Sequence, residues 1–297
     1  MQLRAGPRSA AMMELWRALG ALGEAPGPEQ IRLAQILGLP GRPEPHEYTE
    51  IFVLHLYPYA SVYLGGDGML GGEARDRIAG FWRALGRVPP VEPDHLTTLL
   101  ALYATLGEHE NAEREPARRV LLAESRKALL WEHLACWLPM YLDKLREIAS
   151  PCYRAWGEML GEALWEALAQ PGRPDALPLH LREAPSLPDP RQVGAGAFLQ
   201  GLLAPVRSGA LLVRADLARA ARDTELGLRI GERRFMLDAL LSQDAPRTLA
   251  WLEAEVRAWI PRHLAHRDAV GVIAEFWAAR AETAADLLAR LAAEGPD

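Results

Sequence analysis

Cysteine is scarce in this chain. Cys136 and Cys152 are the only two in 297 residues. Two thiols in so long a chain build no disulfide framework, and they fit a reducing compartment. Long apolar runs are missing as well: no stretch approaches the ~18 apolar residues that suggest a membrane-spanning helix. The N-terminal segment carries Glu14 and Arg17 within its apolar stretch, so it does not read as a secretory signal. A cytoplasmic protein without stable membrane insertion is therefore expected. An excess of positive charge is also absent. The net charge is −6, whereas nucleic-acid binders are usually basic.

The common motifs of catalysis and metal binding are missing too. There is no GxSxG, HExxH, CxxC or GxxxxGK[ST] loop. His133 and Cys136 stand three apart near Glu132, but no second His/Cys pair lies nearby to complete a zinc site. The segment GGDGMLGG (65–72) is rich in glycine yet contains no Lys or Arg. It lacks what a phosphate loop needs. Neither metal nor cofactor is expected, and no enzymatic activity.

What remains is ordinary in amount and distinctive in arrangement. Hydrophobic residues make up 49% and charged residues 24%, as in a globular chain of one large or two ordinary domains. Leu, Ala, Arg and Glu dominate and β-branched residues are few, a balance that favours helix. Helical periodicity runs along most of the chain and no alternating strand pattern stands out. The expectation is an all-α bundle of about ten helices.

Proline and glycine divide it. An N-terminal helical extension is expected over 1–42, with Ser9 capping the first helix. A helical core is expected over 43–170. The stretch Pro171–Pro190 holds six prolines and reads as an extended linker. A C-terminal helical subdomain follows over 191–297. Within the core, Leu96, Leu99, Leu100, Tyr103 and Leu106 form one apolar stripe. That helix is expected to start at Glu92–Pro93–Asp94. A long helix is expected from about Glu115 to Ile148, kinked near Pro139.

Charge is uneven. Between Pro43 and Glu113 eleven acidic residues face four basic ones, a net of −7. On charge alone, a solvated acidic face accounts for this; gathered on one surface, it would attract a cationic partner. The same span holds Tyr57, Tyr59 and Tyr63 in an aromatic loop with Leu64, then Trp82, then Glu92–Pro93–Asp94–His95, with His133 and Trp137 beyond. Apolar and aromatic side chains rimmed by carboxylates would suit a peptide with arginines beside an apolar stretch. From the residues alone, core packing and helix stabilisation explain the same cluster equally well.

Three stretches carry a family resemblance. PYASVYL (58–64), VEPDHL (91–96) and LLWEHLACWLPMYLDKL (129–145) resemble, in order and spacing, the motifs of the TorD/DmsD family of redox-enzyme maturation chaperones. The resemblance implies an all-α fold and no catalysis. It also implies binding of an apo molybdenum or tungsten oxidoreductase of the dimethyl-sulfoxide-reductase superfamily, often through a twin-arginine leader. It makes Asp94 and His95 the first candidates for peptide binding. Glu92, Pro93, Tyr59, Tyr63, Leu64, Trp82, His133 and Trp137 accompany them. Homodimerisation is left open.

Two other classes compete. Arg214–Leu241 could form a helix–turn–helix with its halves meeting around Gly227, making the chain a DNA-binding regulator. Seven arginines against six acidic residues between Pro205 and Ala245 give that surface little excess charge for phosphates. The carboxylates and eight histidines also leave an enzyme with a dispersed site as a third reading.

Overall fold

The computed structural model describes residues 7–170, 172 and 176–294. Among them every extended element is helical, and the one β feature is an isolated bridge between Tyr59 and His95. The fold is all-α. The helices are shorter and more numerous than ten, because Pro and Gly stop them often.

The chain forms two compact units, one of residues 1–60 with 73–173 and the other of residues 61–72 with 174–297. The first contains α1 (Pro7–Leu22), α2 (Pro28–Ile36) and α3 (Pro45–Tyr48), which runs on into a π-helical stretch, Thr49–His55. A short helix α4 (Ala60–Leu64) begins at its edge. Then come α5 (Gly72–Ala84), α6 (Leu96–Ala112), α7 (Pro116–Ala128), a π-helical turn at Leu129–Leu134, α8 (Leu138–Ile148) and α9 (Pro151–Ala169). The apolar stripe on α6 is buried throughout: Leu96, Leu99, Leu100, Tyr103 and Leu106 are all in the core.

The N-terminal segment is part of this core, not an extension to it. Helix α1 packs against α6. Trp16 is fully buried with its ring 4.5 Å from that of Tyr103. The Trp156 indole N–H on α9 donates to the Leu19 carbonyl at 2.9 Å, and the Thr97 hydroxyl donates to Gly20 O at 3.0 Å. The stripe on α6 needs an apolar cover, and α1 supplies it, with Trp16 on Tyr103. Helix α1 also starts at Pro7, so Ser9 lies inside the helix and is not its cap.

The expected long helix Glu115–Ile148 is broken. Helix α7 passes into the π-helical turn, and α8 starts afresh at Leu138 with Trp137 as its N-cap. Pro139 has no N–H to donate, so it sits in a first turn, where none is needed. The chain restarts a helix there instead of kinking one.

The second unit holds α10 (Leu179–Arg182), α11 (Pro190–Val193), α12 (Ala195–Leu202), α13 (Pro205–Ser208), α14 (Arg214–Asp223), α15 (Arg233–Gln243), α16 (Ala245–Arg257), α17 (Trp259–Ala265), α18 (Arg267–Val270) and α19 (Val272–Glu294). Helix α19 packs along α16, α17 and α13. His263 is buried between Trp259 and Trp277, and its Nε2 lies 2.7 Å from Gly209 O. Residues 171 and 173–175 of the expected linker lie outside the described residues. The rest of it is not simply extended: α10 forms there, and Leu181 and Leu187 are buried.

The glycine-rich loop belongs to the second unit. Gly68 has φ of +65°, and a Cβ there would stand 2.7 Å from Ala204 Cα, so only glycine permits this approach. The Arg207 side chain donates from Nε to Gly66 O. The loop is thus pinned by its backbone.

The helix–turn–helix expectation is not met. Nine residues, 224–232, separate α14 from α15, where such a motif needs a turn of three or four. Arg219 is turned inward onto Asp216 at 3.0 Å and Glu255 at 2.9 Å. Arg233 donates to Leu212 O and Arg247 to Thr224 O. These guanidiniums hold the fold together instead of forming a phosphate-tracking face.

Candidate functional site

The turn at Glu92–His95 is fixed by bonds to the strand-like segment Pro58–Ala60. The Ala60 N–H donates to Asp94 O at 3.0 Å, and the Leu96 N–H donates to Pro58 O at 2.7 Å. These two bonds make the isolated bridge between Tyr59 and His95. The side chains follow the backbone. The Tyr59 ring meets the His95 imidazole edge-on at 4.7 Å, and the Tyr59 hydroxyl donates to Glu92 Oε1 at 2.8 Å. From α5, the Arg75 guanidinium donates to Val91 O at 3.0 Å and holds the start of the turn.

His95 is the N-cap of α6. Its Nδ1 accepts from the Thr97 N–H at 3.2 Å, satisfying one of the helix's orphan donors. The helix therefore starts at Leu96, after the Glu–Pro–Asp turn and not within it. An accepting Nδ1 leaves the proton of the neutral ring on Nε2. Burial lowers the His95 pKa, with Glu92 and Asp94 pulling it back up. Burial also raises the Tyr59 pKa, as do its bond to Glu92 and that carboxylate's charge, so the phenol stays a donor.

Glu92 is exposed and Asp94 is buried, 2% accessible. This reverses the expectation that Asp94 would lead in facing a ligand's arginines. The surface carboxylate of the turn is Glu92, while Pro93 and Asp94 lie beneath it. Sequence reasoning missed Tyr48. Burial raises its pKa, and the charges of Glu24 and Glu92 add to the effect. Tyr48 therefore sits within reach of both carboxylates. Its position one step before a π-helical stretch gave no signal in the residue pattern.

The remaining candidates pack elsewhere. Tyr63 and Leu64 are buried in α4 and belong to the second unit. Trp137 is fully buried, its indole N–H donating to His133 O at 2.8 Å and its ring edge-on to Tyr141 at 5.4 Å. His133 is 3% accessible and its ring lies 4.8 Å from that of Phe81 on α5. Trp82 is half-buried on α5. Trp137, His133, Tyr63 and Leu64 thus serve as core and do not line an open groove. Aromatic residues at helical spacing gain most by burial, and here burial won. Neither Cys136 nor Cys152 is in a disulfide and both are buried, and burial pushes the Cys136 thiol up, the opposite of an activated nucleophile. Among the described residues no cluster of His, Cys, Asp or Glu could hold a metal ion.

This geometry lies inside a recognisable segment. Residues 45–143 match the family model of the nitrate reductase delta subunit. The match supports a redox-enzyme maturation chaperone family for the chain, one of chaperones for molybdoenzymes and not of catalysts. No curated protein matches the chain. The matched segment begins at α3 and ends within α8, so it contains the Tyr59–Glu92–His95 turn, Trp82, His133 and Trp137. Among the described residues no helix is long and apolar enough to cross a membrane.

Proposed function

We propose that this chain is a cytoplasmic chaperone that binds the apo form of a molybdopterin oxidoreductase while its cofactor is inserted, and that it grips an arginine-bearing segment of that client. The name of the matched family, nitrate reductase delta subunit, makes a nitrate reductase the first client to test. A twin-arginine leader is the segment that best fits the chemistry. The observation that carries the reading is the Glu92 carboxylate. It stands at the surface, held by the Tyr59 hydroxyl, in a turn that backbone bonds to 58–60 make rigid.

A carboxylate preset in this way can take a guanidinium at little ordering cost, because its side chain is already fixed by a bond that leaves its second oxygen available. Val88 and Val91, each 88% accessible, stand in the segment leading into the turn and offer apolar surface to the stretch beside the arginines. The acidic excess of 43–113 steers such a peptide toward this part of the chain.

The test is titration of a labelled leader peptide from the client into the full chain. Glu92→Gln should weaken binding about fivefold, the loss of roughly 1 kcal/mol expected for an exposed charge-assisted bond, and the effect should shrink at high salt. Equal affinity of the folded variant and the parent would remove Glu92 from the site. A leader whose arginines are replaced by glutamine should bind no better to the parent than to the variant.

A further inference from the structure

A second set of polar groups in the first unit is left without partners. Arg77 on α5 is half-buried, and its Nε and Nη2 are both closed off from solvent with no hydrogen-bond partner. His133 is 3% accessible, and its Nδ1 is likewise closed off and unpartnered. Phe81, one turn beyond Arg77 on the same face of α5, lays its ring 4.8 Å from that of His133. The Arg77 charge bears on His133 and lowers its pKa further than burial alone. The two side chains therefore share one neighbourhood, walled on one side by an aromatic ring.

The pattern of unmet donors is specific. Nε and Nη2 form the side-on edge of a guanidinium, two parallel N–H groups spaced to meet two oxygens of one oxyanion. Burial lowers the Arg77 pKa; Cys136 and then Glu73, one turn before it, act on its charge through space, but neither bonds to that edge. Burying a charge with unpaired donors is costly. A chain that only needed a filled core here would do better with an apolar side chain of the same length.

We propose that Arg77 and His133 form a binding site for an oxyanion, a carboxylate or phosphate group that takes the side-on edge of Arg77 bidentately and lies against the His133 ring. Its side chains are distinct from those of the Glu92 turn, and it has the opposite charge preference. An acidic group would bind at Arg77 while a basic one binds at Glu92.

The test uses the full chain, with acetate and inorganic phosphate as probes and chloride at matched ionic strength as the reference. Two readouts are followed: the thermal midpoint and the His133 imidazole pKa by NMR. With the parent protein, acetate or phosphate should raise the midpoint saturably and raise the His133 pKa, since a bound anion offsets the Arg77 charge. A response to acetate alone assigns a carboxylate ligand, such as an acidic side chain of a partner; a response to phosphate alone assigns a phosphate ester. Arg77→Met should abolish both responses, and its midpoint in anion-free buffer should be higher than the parent's, because an unpaired buried charge is gone. Arg77→Lys should keep a weaker response, having a charge but no fork. No anion response in the parent, or the same response in Arg77→Met, would overturn the proposal. So would a lower midpoint for Arg77→Met, which would mark Arg77 as a structural residue.

Discussion

Two carboxylates two residues apart, Glu92 and Asp94, do different work because one is exposed and the other is 2% accessible. Replacing Asp94 by alanine should destabilise the first unit by about 1–3 kcal/mol, the usual cost of disturbing a buried polar group. Glu92→Gln should leave stability within about 0.5 kcal/mol and change peptide binding instead. Chemical denaturation of both variants beside the leader titration separates the two roles. Equal destabilisation by the two would contradict the assignment. His133 makes a second residue-scale prediction. Burial, with the Arg77 charge added, lowers its pKa from 6.5 to about 4. The folded state holds the ring neutral where the unfolded chain would protonate it, so its contribution to stability is fully present above pH 6.5 and is lost as pH falls toward 4. The charged neighbour that acts on it is Arg77 on α5, which disfavours the proton. The loss is on the order of 3 kcal/mol over that window. His133→Asn should flatten the profile of stability against pH between those limits, and an unchanged slope would show that His133 does not titrate there. The residue types at the turn were legible from the sequence, but their exposure was not. Nothing in the string Glu–Pro–Asp–His says which carboxylate points outward, because that depends on the bonds from Pro58–Ala60.

At the scale of elements, the strongest reading was the stripe on α6, and all five of its residues are buried. A regular 3.6-residue period over ten residues leaves little ambiguity. What covers the stripe was not legible. Helix α1 looked like an appendage because its own sequence contains no partner for it, yet Trp16 packs on Tyr103. Trp16→Ala should therefore cost about 3–5 kcal/mol, measured by urea denaturation of the first unit's transition. A cost below about 1 kcal/mol would mean that α1 is indeed dispensable. The break between α7 and α8 was misplaced for a related reason. Pro139 signalled a disruption, but its position relative to the break depends on which residue starts the new helix. In the second unit, Gly209 ends α13 with φ of +70°, and a Cβ there would collide with the α19 backbone at Ala281. Gly209→Ala should lower stability by roughly 1–3 kcal/mol through backbone strain alone, with further loss from the displaced helix. A neutral result in thermal unfolding would show that α19 can shift freely.

At the scale of the whole molecule, composition and periodicity settled the all-α class, and three ordered motifs suggested the chaperone family that the match over 45–143 supports. That match covers the first unit's centre and none of 174–297. The second unit's part in function is therefore open to direct assay, and its inward-turned Arg219 already argues against DNA as its ligand. The division of the chain was read only partly. Residues 61–72 fall with the second unit, a long-range assignment that no local pattern encodes. The most direct test of the central claim is capture of bound chains by the tagged full-length protein from its own cytoplasm, grown under conditions in which a molybdoenzyme is made. The account predicts recovery of a cofactor-free molybdopterin oxidoreductase, lost or weakened when the client's arginine-bearing segment is removed. Recovery of no redox enzyme while one is being synthesised would contradict it.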